Sequence, residues 1–211
     1  EINSLTYRGY AAQDLCAKCR FEEVAYLILN GELPNKKQLK DFEKLESKER
    51  KLSKSLINVI KSIPKNAHPM DVARTAVSIM GLEDKETKDN SPKTNMRKVM
   101  RIFSKTPVAI AAFYRSRKGK KIISPKNNLS FSENFFHMCF GKVPNKEIVK
   151  AFDVSLILYA EHSFNVSTFT ARTITSSLSD IHGAITGAIA SLKGPLHGGA
   201  NEEVMHMMNK I

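Results

Sequence analysis

Two short stretches pair a histidine with neighbours that let it do chemistry. In "GPLHGGANEEVM", Gly194 to Met205, His197 stands between Pro195 and the pair Gly198-Gly199. Glycines on such a bend permit unusual backbone angles and close approach by a ligand. An imidazole held there can donate a hydrogen bond to a carbonyl that becomes an enolate. A glycine turn carrying a histidine with no chemical role fits the spacing equally. In "YAEHSFN", His162 follows Glu161 at the end of an apolar segment, and Asn165 comes three residues later. At i and i+3 of a helix the two face one cavity. An imidazole and a carboxamide suit the carboxylate or keto oxygen of a small ligand. The competing reading is a helix terminus capped by polar side chains.

The remaining histidines carry less. His68, in "NAHPM", precedes a proline at a helix entry and reads as a turn residue bonded to backbone. His137, in "FFHMCF", reads as a satisfied core histidine, and His206 as structural or surface. His182 lies in a small-residue tract with no chemistry assigned. The chain has three cysteines, Cys16, Cys19 and Cys139. An odd number at this spacing is no disulfide framework and points to a reducing compartment. The C-A-K-C pair has no second pair to complete a zinc site, so no metal is expected, and its flanks look helical. G-x-G-x-x-G, Walker, H-E-x-x-H and G-x-S-x-G signatures are absent.

The elements that must position these residues are helices. Of 211 residues 42% are apolar, a globular composition long enough for one sizeable core. No run of about 18 uncharged apolar residues occurs, so no membrane span is expected. Glu1 to Ser4 has neither basic nor apolar signal character and reads as an internal start. The net charge of +12 raises nucleic-acid binding. Its distribution argues against it: Asn35 to Lys65 mixes ten Lys/Arg with four acids, whereas 151–211 holds three bases and five acids. Lysines interspersed with glutamates read as solvated helix faces.

Helical spacing covers Phe21 to Leu29, stopped at Asn30-Gly31, and continues from Lys36 through Leu45 and from Leu52 through Ile63. Asp71 is expected to cap a helix that ends at Gly81. "LEDKETKDNSPKTN" reads as an exposed loop. Met96 to Arg117 is helical, with Pro107 expected to kink or break it. Ile122-Ile123 suggests a short extended piece. Helices follow at Ser132 to Phe140 and Ala151 to Ala160. The tract from Val166 to Leu192, full of Ala, Ser, Thr and Gly, suits a close helix–helix or subunit contact. The class is all-α.

At these residues the chain resembles the citrate synthase family, with a lean toward 2-methylcitrate synthases. "GPLHGGANEEVM" is similar to the family's active-site histidine loop, and "YAEHSFNVSTFTAR" to its oxaloacetate-binding segment. "LTYRGY", "FEEVAYLILNGELP" and "HPMDVARTAVS" fall in family order. The resemblance implies an all-α homodimer that condenses acetyl- or propionyl-CoA with oxaloacetate and hydrolyses the resulting thioester. It makes His197 catalytic and gives His162, Asn165 and Asn201 to substrate. No cofactor is implied beyond the coenzyme A thioester as substrate, and no nucleic-acid or membrane partner. The compartment would be the cytoplasm, or the mitochondrial matrix in a eukaryote. Residues 1–200 would form the large helical domain and 201–211 the start of a small domain that is essentially missing. The second catalytic histidine and the aspartate base belong to that small domain, so these 211 residues alone are expected to be inactive. His182 stands where the family commonly has Tyr, at the expected dimer contact. The alternatives are a non-catalytic helical scaffold or dimerisation module, and a basic nucleic-acid-binding protein.

Overall fold

The structure, a computed structural model, describes residues 5–162 and 164–210, apart from the side chains of 200–202. The readings of Glu1 to Ser4, Ile211 and the Asn201 side chain lie outside the described residues. The elements in order are β1 (Thr6–Tyr7), β2 (Tyr10–Ala11), α1 (Ala12–Lys18), α2 (Phe21–Asn30), α3 (Lys36–Glu49), α4 (Lys54–Ser62) and α5 (Pro69–Glu83). They continue as α6 (Pro92–Arg117), α7 (Phe131–Phe140), α8 (Lys146–Leu158), α9 (Val166–Ser176), α10 (Ile181–Leu192) and α11 (Gly199–Met208). The fold is all-α. Among the described residues no helix is long and apolar enough to cross a membrane.

The chain forms two compact units. The first takes residues 1–51 and 122–163 and holds β1, β2, α1 to α3, α7 and α8. Its hairpin escaped the sequence reading, being only two residues a side. Arg8 and Gly9 both have positive φ, 51° and 88°, the geometry of a tight two-residue hairpin turn. The hairpin brings Tyr7, 0% exposed, under α8, where its hydroxyl donates to Ile157 O at 2.8 Å. Two buried carboxylates then serve helix N-termini. Asp153 accepts from Phe21 N at 2.9 Å and from Ser132 Oγ at 2.7 Å, and Glu22 accepts from Phe131 N at 2.8 Å. Arg50, buried beside Glu46, donates to Lys126 O and Leu129 O at 2.7 and 3.0 Å. That pairing satisfies a buried charge and ties down the segment before α7. The segment contains no strand at Ile122-Ile123. His137 is half-buried on α7, and burial lowers its pKa.

The second unit takes residues 52–121 and 164–211, with α4, α5, α6, α9, α10 and α11. Four expectations change here. His68, not Asp71, caps α5: its Nδ1 accepts from Met70 N at 3.1 Å, and Pro69 takes the first helical position, where its missing N–H costs nothing. The helix runs past Gly81 to Glu83. The charged 82–95 stretch is partly organised around Lys98, 0% exposed, whose ammonium donates to Thr87 O at 3.1 Å and Asp89 O at 2.6 Å. Arg101 binds Asp84 and Glu86 alongside, and Pro92 already starts α6. Pro107 does not end α6, which continues to Arg117. Met100, Ile102 and Ser104 before the proline and Val108 to Phe113 after it supply buried faces. Their packing outweighs a proline cost of about 3 kcal/mol.

Helices α9 and α10 meet through the small-residue tract. A Cβ on Gly187 would run into Ile174 Cδ1, so any larger residue there would push the Ile174 side chain aside. His182, placed at a subunit contact by the sequence reading, is instead buried inside the unit at 2% exposure. Its Nε2 lies 3.5 Å from Asp84 Oδ2, and a Cβ on Gly81 would lie 2.8 Å from its own Cβ.

Candidate functional site

The turn after α10 carries His197. Gly194 O accepts from His197 N at 2.9 Å and from Gly199 N at 3.1 Å, closing the bend on itself. The glycines here do a different job from the one expected. Gly198 has helical angles, φ −65° and ψ −25°, not a left-handed conformation. A Cβ on it would lie 2.5 Å from Leu192 O, and one on Gly199 would lie 3.0 Å from the carbonyls of Lys193 and Gly194. Glycine is required because backbone packs on backbone.

The His197 ring is half-buried and reaches the start of α9. Ser167 N donates to Nε2 at 3.3 Å, and Ser167 Oγ lies 2.9 Å from the same nitrogen. A backbone N–H can only donate, so Nε2 presents a lone pair. The ring is then neutral with its proton on Nδ1, the tautomer set by the partner of the other nitrogen. Ser167 Oγ is also 2.7 Å from Asn165 Oδ1. Its one proton serves two acceptors, linking Asn165, Ser167 and His197 in a short polar chain.

Asn165 is the N-cap of α9, and its Oδ1 accepts from Thr168 N at 2.6 Å. The capping alternative therefore describes its oxygen, whatever its amide group does. His162 shares no helix with it. Helix α8 ends at Leu158 with Tyr159 as C-cap, so the i, i+3 argument does not apply. The exposed His162 ring packs edge-on to Tyr159, with centroids 6.4 Å apart. The two residues fall in different units. Asn201 lies in α11, two residues after Gly199.

Ser167 was missed in the sequence, although it lies inside the "HSFNVSTF" stretch. The available signal was the Asn-x-Ser spacing at a helix start, which places the serine hydroxyl back on its cap. From Ser167 an open groove of about 510 Å³ runs between α9 and α10. Ala171, Ile185 and Ala188 line it with Thr168, Thr175 and Arg172. On the other side of the turn, Lys193 Nζ bonds Asp71 Oδ2 at 2.7 Å.

All of residues 1–211 match the family described as citrate synthase, C-terminal domain. The chain is 54% identical over 219 residues to 2-methylcitrate synthase 2 of Corynebacterium glutamicum, covering all of this chain and 56% of that protein. It is 50% identical over 211 residues to the 2-methylcitrate synthase of Mycobacterium tuberculosis, covering 53% of that protein. It thus spans about half the length of the curated relatives it matches. In structure it is similar to the citrate synthase of Thermoplasma acidophilum in ternary complex with carboxymethyl coenzyme A and oxaloacetate. The TM-score is 0.89 at 32% identity, over 96% of this chain and 53% of that one. With the whole chain matched by the family and half of it identical to such relatives, the protein belongs to the citrate synthase family.

Proposed function

We propose that the chain carries the histidine loop and oxaloacetate-binding segment of an enzyme that condenses an acyl-CoA, propionyl or acetyl, with oxaloacetate. The products are 2-methylcitrate or citrate and free coenzyme A. The observation that carries the reading is the Ser167 amide donating to His197 Nε2 at 3.3 Å, which leaves Nδ1 as the nitrogen that can carry a proton to a ligand. A neutral N–H aimed at a thioester carbonyl stabilises the enolate oxygen as charge develops. It does so without giving the carbonyl a full proton. His162, Asn165 and Asn201 bind oxaloacetate in this reading.

The condensation also needs a base for the acyl carbon. The family resemblance assigns that aspartate and a second histidine to the small domain, of which 201–211 is the start. We accordingly propose that these 211 residues turn over no substrate by themselves. Helix α9 buries no residue, while Val166 and Phe169 on it are 58% and 71% exposed. That exposed face is the one a second copy would cover in a homodimer, which sedimentation equilibrium would detect.

The test is a thiol-release assay with oxaloacetate and each acyl-CoA, on the longest polypeptide the gene encodes and on its His197→Ala variant. Release of coenzyme A that needs oxaloacetate and falls in the variant supports the reading. Full activity in the variant, or no release with either thioester, sinks it.

A further inference from the structure

The turn that carries His197 is held from two sides, and only one of them is the histidine itself. Pro195 and Leu196, at its tip, are exposed, Leu196 fully so, and give it no apolar anchor. Its backbone bonds close onto the turn and the end of α10: Lys193 N to Ile189 O, Gly194 N to Ser191 O, and His197 N and Gly199 N to Gly194 O. Such bonds fix the shape of the bend but not its place against its neighbours. His197 reaches α9 through Ser167. Lys193, the first residue of the turn, reaches α5 through Asp71, with Nζ to Oδ2 at 2.7 Å.

Asp71 is itself held. Arg74, one turn on along α5, has Nη2 at 2.9 Å from Asp71 Oδ1, so the two carboxylate oxygens face two different cations. The Lys193 bond holds the Asp71 carboxyl below its usual pKa. It therefore stays charged through the neutral range. Lys193 stands four residues before His197, so its bond to Asp71 anchors the start of the bend whose other end makes the Nε2 to Ser167 contact.

We infer that Asp71 is a positioning residue: through Lys193 it sets the His197 turn against α5 and so keeps the imidazole in register with Ser167. Its effect on turnover rests on the reading under Proposed function; its effect on the ring does not. Neither residue touches substrate in this account. The roles are separable because Asp71→Asn keeps size and an acceptor oxygen but removes the charge that orders Lys193.

The experiment uses the full polypeptide, its Asp71→Asn and Lys193→Met variants, and the exchange Asp71→Lys with Lys193→Asp. Two readouts are taken. The first is the pair of His197 ring nitrogen shifts by 15N NMR, which report where the ring proton sits. The expected result is a single Nδ1–H form in the parent, tautomer averaging in both single variants, and recovery in the exchange. The second is thiol release, where each single variant is expected to lower kcat about tenfold, as misplacement of a reacting group does. The oxaloacetate KM should stay within about twofold and the exchange should restore kcat. Unchanged nitrogen shifts in folded Asp71→Asn and Lys193→Met overturn the inference. So does a folded exchange variant that recovers neither readout. If the exchange does not fold, the two single variants decide. Loss of proposed activity altogether, with the shifts moving as expected, overturns only the reading under Proposed function.

Discussion

Two histidines bracket α10, and they differ in how their nitrogens are answered. His182, in the first turn, is 2% exposed with carboxylates on both sides, Asp84 from α5 and Asp180 from its own cap, each 3.5 Å away. Lys98 and Arg101 of α6 oppose protonation, and burial lowers its pKa most of all. His197, beyond the other end, is half-buried with one nitrogen claimed by Ser167. The first ring is enclosed as a packing element. The second is held by one edge, which leaves a donor to offer. Burial makes a histidine structural, whereas one-sided fixation on a turn makes it suited to chemistry.

The sharpest way to break that contrast is to truncate each ring. His197→Ala should lower turnover roughly 10²–10³-fold, the usual loss for one donor to a developing oxyanion, while leaving the melting temperature nearly unchanged. His182→Ala should do the reverse: about 2–4 kcal/mol of stability lost by denaturant titration, as for other large-to-small core changes, with turnover of the folded fraction preserved. If the two variants exchange phenotypes, the contrast is wrong.

A smaller effect comes from the turn. Gly198→Ala places a methyl 2.5 Å from the Leu192 carbonyl, which belongs to backbone and cannot swing away. The turn must shift, at about 1–3 kcal/mol by the cost of overpacking. Turnover should fall more than stability, since His197 is the preceding residue. Gly183→Ala is the control, because its Cβ would meet only Ser179 Oγ at 3.2 Å and Asp180 Oδ2 at 3.8 Å.

What the sequence made legible was local. Gly31 stops α2 in the left-handed conformation at φ 96°, because that stop depends on residues within a turn. His68 at its proline was legible for the same reason. Lys98 was not, since a lysine in a charged run looks solvated until the 82–95 carbonyls are folded over it. Pro107 could kink the helix or break it, and the break is ruled out by burial that comes from other helices, which a local cost does not show. In the candidate site, His197 and Asn165 were named from their motifs. Ser167, which joins them, is one of several serines and threonines in its stretch, and only the path of the turn after α10 singles it out. Asp71 was noticed as a cap but acts across 122 residues, a separation no spacing rule reaches.

The smallest effect is a pH dependence that separates the two units rather than the two rings. A histidine whose folded pKa is lowered binds its proton more readily when unfolded. The stability His182 contributes is therefore present above about 6.5 and is lost as pH falls through its folded value. Glu22, in the other unit, runs the opposite way. Burial, with Oε2 left without a hydrogen-bond partner, raises its pKa above the usual carboxylate value. Its contribution is full below about 4.5 and declines as pH rises through the raised value. Urea titrations at several pH values should show His182→Gln flattening the slope on the acid side of neutrality. Glu22→Gln should remove the decline above 4.5 and leave that slope alone. Each glutamine keeps a polar group in place, so the comparison isolates the proton. Equal slopes in parent and both variants would mean that neither buried group titrates differently on folding, and that enclosure of the first ring is packing alone.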